Sequence, residues 1–324
     1  MDNRMYWFKS DDRRLARLAK DDDGKYVIVE KCPFESPFLY MLEDDDMLDA
    51  WCKSRMLLPN CDVPSPTGLS FMDDFWISSE PGTLYHEVSI KTTGRFPALD
   101  KARTEITDCY FRGEDNCLWV RCTEKANVLG TLLSMQLADF LDIDTSDIEM
   151  KRKGKSLYIE QRLPLDFSNN IGIMPFSDVF SYTEKDEKMF TGMTAKARGM
   201  FVLDTLMMNS GRDLSDIFAV FSTDTFEFLD LWSVTNWGFV FNLWDSPVCQ
   251  ACPETLVRRN KYGVTQYGFK DFWSHIYTSA YVDKLYKLRS IGFKFSNPDS
   301  FCFEDKLVYS ATVALRAMLD YLLL

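Results

Sequence analysis

Leu203-Asp204-Thr205-Leu206-Met207-Met208-Asn209-Ser210-Gly211-Arg212-Asp213-Leu214-Ser215-Asp216-Ile217-Phe218-Ala219-Val220-Phe221 decides how this chain is to be read. Its first part, with Phe201 and Val202 just before it, carries apolar residues at helical spacing. The run ends in a polar knot of Asn, Gly, Arg and Asp, and a short apolar stretch, Ile217 to Phe221, follows with the look of a buried strand. A second strand, Phe226 to Trp232, comes next and carries one acidic residue near its end, Asp230. Helix, polar turn, strand and strand in this order place several charged side chains at one end of a core-packed unit.

Outward from that stretch, the 324 residues are 46% hydrophobic, enough for one large two-lobed domain or two smaller ones. With 49 acidic against 37 basic residues the net charge is −12, which argues against nucleic acid or an anionic membrane as the main partner. The runs Asp21-Asp22-Asp23 and Asp44-Asp45-Asp46 read as solvated turns. Nine cysteines, an odd number without the rhythm of a secreted domain and without a leader-like start, favour a reducing, cytoplasmic setting. Cys249-Gln250-Ala251-Cys252 forms one CxxC, but no second such pair exists and only His86 and His275 could complete a four-donor zinc site, so loop cysteines are expected. No run approaches the ~20 apolar residues of a membrane span.

The elements fall into a mixed order. A hairpin is expected from Arg4–Lys9 and Lys25–Glu30 with a charged stretch between them, and further strands at Cys117–Cys122 and Leu157–Glu160. Leu129, Leu132, Leu133, Leu137, Phe140 and Leu141 make 127–142 an amphipathic helix with Asn127 as its cap. Helices are also expected at 175–182, 195–208, 269–290 and 304–324, and an extended stretch at 236–241. Their aromatic and leucine stripes read as core.

Two sets of residues carry a resemblance. The stretch 203–221 with Asp230 resembles the HipA-like protein kinases, in which a helix bears D-x-I-x-N, followed by N-x-D-R-H-x-x-N, a strand, and an F-D-x-G turn. Asp204, Asn209, Arg212 and Asp230 match that pattern. Separately, Leu48-Asp49-Ala50-Trp51-Cys52-Lys53-Ser54-Arg55-Met56-Leu57-Leu58-Pro59 and Gly68-Leu69-Ser70-Phe71-Met72-Asp73-Asp74-Phe75-Trp76 resemble the L-x-x-W-x-x-x-R-x-x-P … G-L-S-x-x-D-x-Y-W segment of HipA-like proteins from low-GC bacteria. The resemblance implies an α+β, two-lobed protein-kinase-like fold with a β-rich N-lobe and a mostly helical C-lobe. Residues 1–82 would be an amino-terminal segment packed on it, 83–165 the N-lobe and 166–324 the C-lobe, with Pro164 at the hinge.

Phosphoryl transfer needs a phosphate loop, a positive side chain, metal ligands and a group to orient the nucleophile. The resemblance puts Thr92–Leu99 at the phosphate loop, where one glycine and a Phe-Pro pair are poorly suited to close backbone approach. Arg121 stands where the family has its nucleotide-binding lysine, and Gly130 and Thr131 where it has the paired glutamate. Gly211 occupies the place of the catalytic aspartate, Asp213 that of the histidine, Asp216 that of the metal-binding asparagine, and Trp232 that of the turn glycine. The expected site is therefore Asp213 as the remaining catalytic candidate, Arg121, Asn209 and Arg212 toward nucleotide, and Asp216 and Asp230 toward metal, with ATP and Mg²⁺ as the cofactors implied. What this implies is a catalytically impaired pseudokinase that acts by binding a protein partner, without direct nucleic-acid or membrane contact. Two alternatives stay open, an atypical ATP-dependent Ser/Thr phosphotransferase working through Asp213 or Asp216, and an unrelated α+β binding protein.

Overall fold

The computed structural model describes residues 2–55, 64–65, 67–70, 72–89, 109–112, 117–121, 125–145, 148–162, 170–183, 195–209, 211–212, 217–233, 240–242, 273–274, 279–297 and 303–323. In chain order these give β1 (Asp2–Ser10), β2 (Arg13–Lys20), β3 (Tyr26–Lys31), a 3-10 helix (Pro37–Leu42), α1 (Asp45–Ser54), β4 (Phe75–Ser78) and α2 (Tyr85–Val88). They continue with β5 (Cys109–Arg112), β6 (Cys117–Arg121), α3 (Lys125–Leu141), β7 (Ile148–Lys153), β8 (Ser156–Arg162), β9 (Ile171–Pro175) and α4 (Phe176–Thr183). The last are α5 (Ala195–Leu206), β10 (Ile217–Ser222), β11 (Phe228–Ser233), a short 3-10 turn (Val240–Asn242), α6 (Ser279–Ser290) and α7 (Asp305–Leu322). The fold is thus α+β. The chain divides into two compact units, one of Met1–Val120, Arg162–Thr191 and Phe218–Asp230, the other of Arg121–Gln161, Gly192–Ile217 and Leu231–Leu324.

The first unit is built on the antiparallel sheet β3-β2-β1-β4. Its middle strand lies in the stretch expected to be a charged connection. Leu15, Ala16 and Leu18 are buried while Arg14 and Arg17 face solvent, so a strand forms despite four basic residues. The turn after it is as expected: the Asp21 carboxylate accepts from the amides of Asp23 and Lys25, and Gly24 takes φ +83°. The second acidic run is exposed as expected, but it starts a helix instead of forming a turn. Asp44 caps α1 by accepting from Met47 N–H at 2.8 Å, and Asp45 and Asp46 sit in the first turn, where the helix dipole favours negative charge. Asp45 also accepts from Ile28 N–H on β3 at 2.7 Å.

A second sheet in this unit, β11-β10-β9, is antiparallel between β9 and β10, with Phe218 opposite Pro175 and Ser222 opposite Ile171. Every residue of β10 from Ile217 to Phe221 is buried. An aromatic core joins the two sheets: Phe38 stacks on Phe221 at 4.5 Å between ring centroids, and Phe75 lies 5.7 Å from Phe8 and 5.8 Å from Phe221. β5 pairs antiparallel with β6.

In the second unit α3 packs on α5 and α6, α7 packs on α5 and α6, and β7 and β8 form a hairpin turned at Gly154. α3 begins at Lys125, two residues earlier than expected, so Asn127 lies in its first turn instead of capping it. Its other end is closed by Lys284 of α6, which donates to Leu141 O and to the Asp142 carboxylate, both at 2.7 Å, where Asp142 has φ +52°. The Val240–Asn242 turn replaces the end of the extended stretch expected at 236–241, and Phe241 there has φ +53°. Among the described residues no helix is long and apolar enough to cross a membrane.

Candidate functional site

Helix α5 ends because its last residues find partners that a continuing helix would not offer. Met208 turns to φ +49°, its amide donates to Thr205 O at 3.2 Å, and the Asn209 amide donates to Asp204 O at 2.8 Å. That pair of bonds closes the helix in the manner usually reserved for glycine. A methionine in the left-handed region costs on the order of 1 kcal/mol. Its side chain is 3% exposed, and the burial offsets the strain. The amide of Phe241 donates to Met207 O at 2.8 Å, and Ser134 on α3 donates to the Met207 sulfur at 3.1 Å, so this helix end is held from two further elements.

The side chain of Asp204 completes the turn. Its Oδ2 accepts from Arg212 Nε at 2.8 Å, and its Oδ1 from Arg212 Nη2 at 3.1 Å and from Asn209 Nδ2 at 2.9 Å. Both side chains of the ion pair are fully buried. A bidentate guanidinium–carboxylate contact has one good geometry, so Asp204 fixes where residues 209 and 212 lie. Three of the residues singled out from the sequence, Asp204, Asn209 and Arg212, are therefore brought together. Gly211, between them, contributes no side chain at the place of the expected base. Asp213 and Asp216 lie outside the described residues.

The remaining candidates belong to other elements. Asp230 stands on β11, half-buried, in the first unit. Arg121 closes β6. Thr131, at one position of the expected glutamate, is fully buried within α3. The expected phosphate loop, Thr92–Leu99, and the pair Cys249 and Cys252 lie outside the described residues. Among the described residues no three His, Cys, Asp or Glu side chains gather closely enough to hold a metal ion.

The second sequence signature forms a buried knot in the first unit. Arg55, at the end of α1, donates from Nη1 and Nη2 to the two Asp73 oxygens at 2.8 and 2.5 Å and from Nε to Gly68 O at 2.9 Å. Its guanidinium lies 4.7 Å from the Trp51 ring. Gly68 has φ +72°, and a Cβ there would fall 2.5 Å from the Trp51 ring, so both conformation and space demand glycine. Asp73 also accepts from Phe75 N–H at 3.0 Å, and its main-chain carbonyl from Tyr85 Oη at 3.2 Å. Tryptophan, arginine, glycine and aspartate are thus spaced along the sequence as parts of one packing unit. Sequence spacing alone could not separate that role from a binding role.

Two groups around this knot were not marked by the sequence. Tyr40, on the first 3-10 helix, hydrogen-bonds to Asp178 on α4, and burial pushes its hydroxyl well up. Burial likewise pushes the Asp178 carboxyl up, against the opposite pull of the Ser177 hydroxyl, which donates to it at 3.1 Å, and of the Arg55 charge. Their signal was hidden because neither belongs to a periodic motif.

Comparison with known proteins gives structural likeness only. No protein-family model matches the chain, and no curated protein matches it. It is similar to HipA of a Shewanella oneidensis MR-1 toxin–antitoxin system, solved with HipB and operator DNA, with 10% identity and a TM-score of 0.46 over 98% of this chain and 97% of that one. It is also similar to the Helicobacter pylori proinflammatory kinase CtkA, with 13% identity and a TM-score of 0.38 over 65% of this chain and 88% of that one.

Proposed function

We propose that this chain is a HipA-like, kinase-like scaffold that is catalytically impaired and acts by binding a protein partner. The observation that carries this reading is the Asp204 clamp: the frame of the catalytic-type turn, Asp204, Asn209 and Arg212, is assembled and buried, while Gly211 supplies no base. A general base must reach the proton it takes, and positioning with charge supplies nearly all of the rate in phosphoryl transfer. A frame kept without that group holds a shape. Arg212 and Asn209 have this structural task in the reading, and any surviving contact with ATP or Mg²⁺ falls to Arg121, Asp213, Asp216 and Asp230.

Two measurements test it. Incubation with [γ-³²P]ATP and Mg²⁺ is expected to leave the chain and added protein substrates unlabelled; labelling that disappears in Asp213→Ala or Asp230→Ala would overturn the reading in favour of a working phosphotransferase. A thermal-shift titration with ATP and Mg²⁺ decides the nucleotide part, since a ligand that binds only the folded state raises apparent stability. Stabilisation without phosphate transfer is the result expected of a nucleotide-sensitive binding module.

A further inference from the structure

The turn between β10 and β11 is held from the far end of the sequence. Arg13, at the start of β2, donates from Nη2 to Thr223 O at 2.7 Å and from Nη1 to Asp224 O at 2.8 Å. Its guanidinium lies 4.4 Å from the centre of the Phe226 ring and 5.6 Å from that of Phe34. Ser36 donates to Phe226 O at 2.8 Å, and the Phe226 ring lies 5.9 Å from Phe75. Phe226 itself has φ +58°, an unfavourable conformation for an aromatic residue, which persists only where surroundings impose it. The other side of the turn is fastened by Asn170, which accepts from Thr223 N–H at 2.7 Å and donates to the Asp224 carboxylate at 2.6 Å.

These contacts exceed what a two-strand turn needs. The turn already closes on itself, with Phe226 N–H donating to Ser222 O at 2.8 Å and Ser222 N–H to Glu227 O at 3.0 Å. The additional grip comes from Asn170 on one side and, on the other, from the amino-terminal sheet and the segment after it, and β11 leads from the turn to Asp230. We infer that Arg13 is a positioning residue, through which the amino-terminal sheet sets the β10–β11 hairpin and with it Asp230. Only the importance of Asp230 rests on the functional reading above; the grip does not. A perturbation of the amino-terminal sheet would be felt at Asp230 through two carbonyl contacts and one ring.

Hydrogen–deuterium exchange on the full chain tests this without ATP, metal or partner, so it stands or falls apart from the functional reading. In Arg13→Ala, amides of 222–230 are expected to exchange about tenfold faster, the ratio that corresponds to about 1.4 kcal/mol of lost local stability. Arg13→Lys keeps the charge near the rings but offers a point donor in place of the fork, and is expected to fall between that and wild type. Arg17→Ala, which removes an exposed partner of Glu30 on the same strand, is expected to leave 222–230 unchanged. Exchange in Arg13→Ala within twofold of wild type at 222–230 would overturn the inference. So would an equal rise across β1–β3 and the hairpin, which would make Arg13 a general stabiliser of the unit.

Discussion

Asp204→Asn is the sharpest perturbation available, because it changes one charge and almost no volume. Asp204 and Arg212 are both fully buried, and among the described residues the carboxylate accepts two side-chain hydrogen bonds from Arg212 and one from Asn209. The amide of asparagine presents one oxygen and one NH₂ group, so at least one of those donors faces another donor. The guanidinium loses the buried Asp204 charge at the same time. Breaking a buried pair in this way costs about 3–5 kcal/mol, a large share of the ~5–15 kcal/mol that holds a typical domain. The assay is urea denaturation followed by tryptophan fluorescence and circular dichroism, with the midpoint read at constant slope. An apolar double variant, Asp204→Leu with Arg212→Met, removes both charges together. It leaves no buried charge of that pair without its partner, so it is expected to be more stable than Asp204→Asn. That ordering runs opposite to the number of atoms changed. If Asp204→Asn moves the unfolding free energy by less than about 0.5 kcal/mol, the size expected of an ordinary surface change, the clamp does not hold the turn and the reasoning fails.

Other expectations concern the first unit. Arg55→Ala, which leaves Asp73 buried without its guanidinium, should lower stability by about 3–5 kcal/mol in the same denaturation assay. Gly68→Ala combines a left-handed backbone with a 2.5 Å approach to Trp51, and should cost more than the roughly 1 kcal/mol expected from backbone strain alone, with a matching change in Trp51 fluorescence. Asp178, whose carboxyl is pushed up by burial, contributes stability that is present below its unfolded value and is lost as pH rises through the folded one. Asp178→Asn mimics the neutral acid, so its stability relative to wild type should improve between pH 4 and pH 7; a difference that is flat or reversed across that window refutes the assignment.

Much of this arrangement was legible in the sequence. The helices at 195–206, 279–290 and 305–322 and the strands at 217–222 and 228–233 follow their apolar periodicity, which burial enforces. The grouping of Asp204, Asn209 and Arg212 was implied by the resemblance of 203–221 to the HipA-like pattern. β2 was missed because Arg13, Arg14, Arg17 and Lys20 mask three buried apolar residues, and the strand exists only because a sheet pairs with it on both sides. The helix cap at Asp44 was missed because an acidic triplet reads equally well as a turn. The two roles of Asp204, carbonyl cap and carboxylate clamp, depend on the left-handed turn at Met208, where sequence reasoning looks first for glycine. The grip of Arg13 was invisible for a different reason, since its partners are main-chain oxygens whose identity leaves no trace in residue type.

That grip also sets an order of events during synthesis. Ser36 waits for a carbonyl 190 positions later, and Phe38 and Phe75 for the rings of Phe221 and Phe226. At about 5–20 residues per second a ribosome takes roughly 10–40 s to supply them. Through that interval the amino-terminal sheet carries an unfinished aromatic face, and the first unit completes its core only after the clamp segment of the second has emerged. Chains interrupted before residue 226 would expose that face to one another, so yield in a cell should depend on chaperone supply more than the stability of the finished protein suggests.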